Sequence, residues 1–114
     1  MDEKIPLESV IVKEIMAWLK KERYSFVHKS HGSAYARTGL PDIVVIDRYG
    51  RFVGLEVKRP SVGRLTAIQA RILNKINAAG GYAAVVHSVA EVEQVMAASE
   101  ASLQNKNDYI AGKG

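Results

Sequence analysis

The stretch that most constrains this chain is Gly39 to Lys58, GLPDIVVIDRYGRFVGLEVK. Two runs rich in β-branched and apolar residues flank Tyr49-Gly50, which reads as a tight turn between strands at about 42–47 and 52–58. Strand side chains alternate between faces, so Glu56 and Lys58 point one way and Val57 the other. A hairpin folded at Tyr49-Gly50 sets the start of the first strand beside the end of the second. Asp42 then meets Glu56 and Lys58 at one end of the sheet. Two carboxylates and an ammonium converging there read as a divalent-metal site. The competing reading is a strand-edge acid beside a surface ion pair, which is common and contributes little. The second strand is otherwise apolar (Phe52, Val53, Leu55, Val57), which favours the metal site.

Elements on either side can support such a site. Residues 6–22 carry Leu7, Ile11, Ile15, Trp18 and Leu19 at the spacing of one helical face, with Pro6 placed for the first turn. Glu8 falls inside that apolar stripe and Glu14 at its edge. Glu8 is either a first-turn acid favoured by the helix dipole or a carboxylate turned toward the site. Residues 24–29 read as a short strand and 30–39 as a loop. Pro60 stops the strand that ends at Lys58. A helix follows from about Thr66 to Ala79, with Leu65, Ile68, Ile72, Leu73 and Ile76 as its inner face, a capping box at Thr66-Ala-Ile-Gln69, and Gly80-Gly81 at its end. Residues 82–87 read as a buried strand, parallel to 52–58 through a right-handed crossover. Ser88-Val-Ala-Glu91 opens a last helix to about Ala98. The expected architecture is one domain over residues 1–98 with a polar, flexible tail at 99–114.

A chain of 114 residues has room for one ordinary core. It has no cysteine, which excludes disulfides and thiolate sites and suits an intracellular, reducing setting. No apolar run is long enough for a membrane helix, and no secretory signal is visible at the N-terminus. A net charge of +4 favours a polyanionic partner. His28, His31 and His87 lack the spacing of a zinc site.

The element order, helix, strand, strand, strand, helix, strand, helix, together with Pro41-Asp42 and Glu56-Val57-Lys58, resembles the PD-(D/E)XK nuclease superfamily. More narrowly, Gly39-Leu-Pro-Asp42, the strand Gly50 to Lys58, Gln69 in the next helix and Gly80-Gly81 resemble the VRR-NUC family (virus-type replication-repair nuclease) in its small standalone form. The resemblance covers roughly residues 7–97. It implies an α/β fold with a PD-(D/E)XK nuclease-like core, a mixed four-stranded sheet flanked by helices. It implies a Mg²⁺- or Mn²⁺-dependent, structure-specific DNA endonuclease that acts on branched, Holliday-junction-like DNA as a homodimer. Products would carry 5′-phosphate and 3′-hydroxyl ends. A viral origin would place it in the cytoplasm of a bacterial host. The alternatives are a nuclease for flaps or nicked duplex, or a non-catalytic DNA-binding module that keeps the fold.

The residue chemistry agrees with this. Asp42 and Glu56 offer hard oxygens to a divalent cation, and the Val57 carbonyl can complete its shell. Lys58 can orient or deprotonate a water, or stabilise the phosphorane-like transition state. The resemblance implies a further glutamate from the first helix; Glu8 fits best by its distance before Trp18-Leu19, with Glu14 in reserve. Gln69 is a capping residue, a group facing the metal or scissile phosphate, or both. Tyr82 is a substrate contact or a core tyrosine. Lys29, His31, Arg37, Arg59 and Arg64 are candidate DNA-binding residues, and Arg71 and Lys75 extend the basic track. Each of these could equally be a solvated surface charge.

Overall fold

The computed structural model describes residues 4–30 and 39–110, so the expected DNA contacts His31 and Arg37 lie outside the described residues. The elements are α1 (Glu8–Lys21), β1 (Phe26–Lys29), β2 (Ile43–Ile46), β3 (Phe52–Val57), α2 (Ala67–Ala78), β4 (Tyr82–Val86) and α3 (Val89–Ile110). The strands form one mixed sheet in the order β1-β2-β3-β4. The first three pair antiparallel, and β4 runs parallel to β3. Helices α1 and α3 pack on one face. Their Ile11, Val12, Ile15, Leu19, Val92 and Met96 close over Ile43, Val45, Val53, Leu55, Val57 and Val86. Helix α2 covers the other face of β3 and β4, where Ile76 and Pro41 lie against Gly54.

Local chemistry explains most boundaries. The β2–β3 hairpin turns through Asp47–Arg51, with Gly50 in the left-handed region at φ 88°. The Asp47 carboxylate accepts the Tyr49 and Arg51 amides at 2.9 Å each, locking the turn. Helix α2 has the expected capping box: Thr66 Oγ1 accepts the Gln69 amide and Gln69 Oε1 accepts the Thr66 amide. It ends in a Schellman motif. Gly80 sits at φ 100°, and the Gly80 and Gly81 amides donate to the Asn77 and Ile76 carbonyls. A Cβ on Gly81 would fall 2.7 Å from Ile76 Cγ2, so the second glycine serves close packing. Helix α1 ends in the same motif with Arg23 at φ 63°, a position the sequence did not mark.

Several expectations need correction. Helix α1 begins at Glu8, with Leu7 as an N-cap that makes no side-chain cap, so Pro6 lies outside the helix. On α2 the buried side chain is Leu73, while Leu65 (40%) and Ile68 (50%) are exposed. Helix α2 packs chiefly on β3 and β4, and Ile68 lies over Gly39, ahead of β2. At the second capping box Ser88 Oγ accepts the Glu91 amide, but the Glu91 carboxylate takes the His87 amide instead of that of Ser88. Tyr82 lies at the far end of the sheet from Glu56, because parallel pairing sets it beside Val53; the Arg51 guanidinium lies 5.3 Å from its ring centre.

The largest difference is at the C-terminus. Helix α3 runs on to Ile110 instead of stopping near Ala98. Ser99 is fully buried and donates to Asp47 at 2.6 Å, and Glu100 accepts from the Tyr24 hydroxyl (3.0 Å) and the Arg48 amide (3.1 Å). Burial, then the bond to Glu100 and its charge, pushes the Tyr24 hydroxyl up to about 12. These partners lie 52 and 76 residues away in sequence, which no local pattern could signal. Ser99→Ala removes one partner of a buried carboxylate, a loss of about 1–3 kcal/mol. The thermal midpoint should fall by roughly 5 °C or more. An unchanged midpoint would mean that the Ser99–Asp47 bond contributes nothing to the fold.

Candidate active site

The hairpin register carries the site. Ile43 pairs with Leu55, so Asp42, the residue before β2, stands opposite Glu56. Asp42 Oδ2 accepts the Val57 amide at 2.8 Å, which holds its carboxylate against the end of β3. The Asp42 carbonyl accepts the Ser30 amide, continuing the β1 ladder one step further. Glu8, in the first turn of α1, completes the set. One carboxylate oxygen from each of Glu8, Asp42 and Glu56 lies within 4.8 Å of the others. A cavity of about 310 Å³ opens there, lined by Glu8, Ser9, Val12 and Asp42. Glu14 is exposed and outside this cluster.

Glu56 is 1% exposed. Its Oε2 meets Lys58 Nζ at 3.4 Å and accepts from Gln69 Nε2 at 2.9 Å. Its Oε1 is buried and, among the described residues, has no hydrogen-bond partner. Burial first, and then the Asp42 charge, pushes the Glu56 carboxyl up to about 7; Lys58 acts in the opposite sense. Gln69 makes the expected capping box and also bonds Glu56. Its amide oxygen caps α2 while its amide nitrogen orients Glu56, so it reaches the site through Glu56. The donor set fits a hard divalent cation: three carboxylates with oxygens within 4.8 Å of one another, one of them buried with an oxygen unpaired among the described residues.

The other expected residues divide. Val57 holds Asp42 through its amide. Lys29 is exposed at the end of β1, one strand from Asp42. Arg64 is exposed in the segment between β3 and α2. Arg59 instead turns toward the N-terminal segment, donating to the Pro6 (3.0 Å) and Ile5 (3.1 Å) carbonyls. Two neighbours went unread in the sequence. Ser9 lines the cavity, one position after Glu8. His87 follows β4 at the site end of the sheet, since the Lys58 amide donates to the Val86 carbonyl; its Nδ1 meets Glu91 Oε1 at 2.9 Å. The parallel crossover expected from the sequence already implies this position.

The Glu56 shift has a thermodynamic consequence for the metal-free protein. The folded state holds the Glu56 proton up to about pH 7, whereas the carboxyl ordinarily releases it near 4.5. The contribution is therefore full below about pH 4.5 and lost as pH rises to about 7, on the order of 3 kcal/mol at about 1.36 kcal/mol per unit. In EDTA, urea unfolding should show lower stability at pH 8 than at pH 5. Glu56→Gln should remove most of that difference and be the more stable protein at pH 8. A difference that persists undiminished in Glu56→Gln would show that this carboxyl is not its source.

The sequence matches no protein-family profile and no curated protein. Solved structures do match. A VRR_NUC domain protein aligns with a TM-score of 0.67 at 21% identity, over 82% of this chain and 87% of its own. A second structure, described as a VRR_NUC domain, aligns with a TM-score of 0.62 at 24% identity, over 78% of this chain and 92% of its own. The mixed sheet with its three helices is thus the fold of the VRR-NUC nuclease domain, as the resemblance in sequence implied.

Proposed function

We propose that this chain is a divalent-metal-dependent endonuclease that hydrolyses phosphodiester bonds in branched DNA as a homodimer. The observation that carries this reading is Glu56: a carboxylate buried at the junction of two further carboxylates, with one oxygen unpaired among the described residues. A protein interior seldom leaves a charge in that state unless a ligand completes it. Mg²⁺ or Mn²⁺ held by Glu8, Asp42, Glu56 and the Val57 carbonyl would supply charge neutralisation at the phosphoryl oxygens and at the leaving oxygen.

The chain's own residues supply positioning and proton control. The Asp42–Val57 bond and the Gln69–Glu56 bond fix two carboxylates in orientation before substrate arrives. Lys58, 13% exposed beside Glu56, presents its ammonium where an attacking water and the phosphoryl group would meet. Water attacks phosphorus in line, and the bridging 3′-oxygen leaves as a hydroxyl, which leaves a 5′-phosphate on the other fragment. The net charge of +4 and the exposed Lys29 and Arg64 near the site support a polyanionic substrate. Such contacts grip the backbone without reading bases, in keeping with recognition by DNA shape. A twofold pair would bring one site to each of two strands of a junction.

The test is cleavage of labelled four-way junction, flap, nicked and linear duplex with Mg²⁺, Mn²⁺ or EDTA. Wild type should cut the junction only with metal, and Asp42→Ala should not cut. Activity that survives EDTA or Asp42→Ala would sink the metal site, and metal-dependent cutting confined to flaps or nicks would change the substrate. Junction binding without cleavage under any condition would favour the non-catalytic module. Glu8→Gln should reduce cutting at least about tenfold, as losses around metal sites do, while Glu14→Gln stays near wild type. The reverse order would make Glu14 the ligand.

A further inference from the structure

Helix α1 has an end that its own sequence does not secure. Leu7 at the N-cap has no side chain able to accept a first-turn amide, and no side-chain cap is made. Its carbonyl receives the Val10 and Ile11 amides, but nothing within the helix fixes how the chain enters it. Glu8 is the first helical residue, so its placement depends on the segment before it.

Arg59 supplies the missing constraint. Its Nε and Nη2 donate to the Pro6 and Ile5 carbonyls, two arms of one planar group on consecutive peptide units. Its own backbone is held on the other side. The Gly63 amide donates to the Arg59 carbonyl at 3.0 Å, in a turn so tight that a Cβ on Gly63 would lie 2.7 Å from the Arg59 nitrogen. One residue earlier, the Lys58 amide is bonded to Val86 of the sheet.

We propose that Arg59 is a positioning residue for the metal site: it clamps residues 5–6 to the end of β3 and so fixes Glu8 against Asp42 and Glu56. The clamp rests on the metal-site reading above and deepens it. It assigns Arg59 to the architecture of the cation site rather than to DNA phosphate. It also predicts a sign that charge alone would not give. Removing a cation near a cation site should tighten metal binding by Coulomb's law, whereas loosening Glu8 should weaken it.

The test is calorimetric titration of Mn²⁺ into the full chain without DNA, for wild type, Arg59→Met, Arg59→Lys, Glu8→Gln and the double variant Arg59→Met/Glu8→Gln. Arg59→Met should weaken binding about tenfold, equivalent to roughly 1.4 kcal/mol. In the Glu8→Gln background the same change should cost less than about twofold, because the residue it positions is already lost. Arg59→Lys should remain weakened, since an ammonium cannot span both carbonyls. A general loss of folding would persist in the Glu8→Gln background, so the cycle separates it from the clamp. Additive losses, or wild-type Mn²⁺ affinity in Arg59→Met, would overturn the clamp. If that wild-type affinity came with a DNA-binding salt slope lowered by about one, Arg59 would be a phosphate contact instead. A wild-type chain that binds no Mn²⁺ would overturn the metal reading itself, and the clamp with it.

Discussion

The structure depends on how it handles one buried charge. Glu56 stands near the end of an otherwise apolar strand, 1% exposed, where an ionised carboxylate is strongly disfavoured without partners. Three neighbours answer on one oxygen or by charge: Gln69 and Lys58 at Oε2, and Asp42, which raises the difficulty by standing opposite. The pairing register, the capping of α2 and the entry of α1 all converge on this position. A fold selected for stability alone would place a leucine or valine here, as it does at Leu55 and Val57 on the opposite face of the same strand.

The same hairpin offers an internal control. Asp47 is also a buried acid, 4% exposed, at the turn end. There each oxygen is used: Oδ1 accepts two backbone amides and Oδ2 accepts the Ser99 hydroxyl. Asp47 is a structural residue, and its satisfied state shows that this chain can complete a buried carboxylate when stability requires it. Glu56 Oε1, 9 residues away, has no hydrogen-bond partner among the described residues. The two ends of the hairpin thus differ in kind: one buried acid is completed by the fold, and the other keeps a free acceptor among the described residues.

Much of this was legible because it is local. The Tyr49-Gly50 turn, the Thr66–Gln69 capping box and Gly80-Gly81 are each written within a few residues, and alternation on β3 put Glu56 and Lys58 on one face. The Asp42–Glu56 meeting followed from the turn alone. What sequence did not show was long-range. Arg59 read as a phosphate contact because a guanidinium next to a candidate site has that use, and its actual partners are backbone carbonyls more than 50 residues earlier. Ser99 and Glu100 looked like the start of a tail because their partners are in β-turn and β1-approach segments far upstream. Tyr82 lies away from the site because the parallel crossover, itself legible in the sequence, puts His87 rather than Tyr82 beside Lys58. Leu65 and Ile68 fitted the helical period, yet periodicity does not say where the sheet beneath a helix ends.

Topology also sets the electrostatics of the site. A parallel crossover returns the chain so that the helix after β3 begins where β3 ends, and Gln69 in its first turn touches Glu56. Helix α1 likewise begins at the site, with Glu8 as its first residue. Both helices therefore start beside the carboxylates, and a helix start carries the equivalent of roughly half a positive charge. Together with Lys58 this offsets part of the negative charge, enough for the cluster to persist in a folded chain. It does not neutralise it, because the Glu56 carboxyl is still driven up to about 7. The residual negative charge lies where Glu8, Asp42 and Glu56 bring their carboxylates within 4.8 Å of one another, with the Lys58 ammonium beside them. The order helix, strand, strand, strand, helix thus brings both helix starts and the end of β3 to one place by backbone direction.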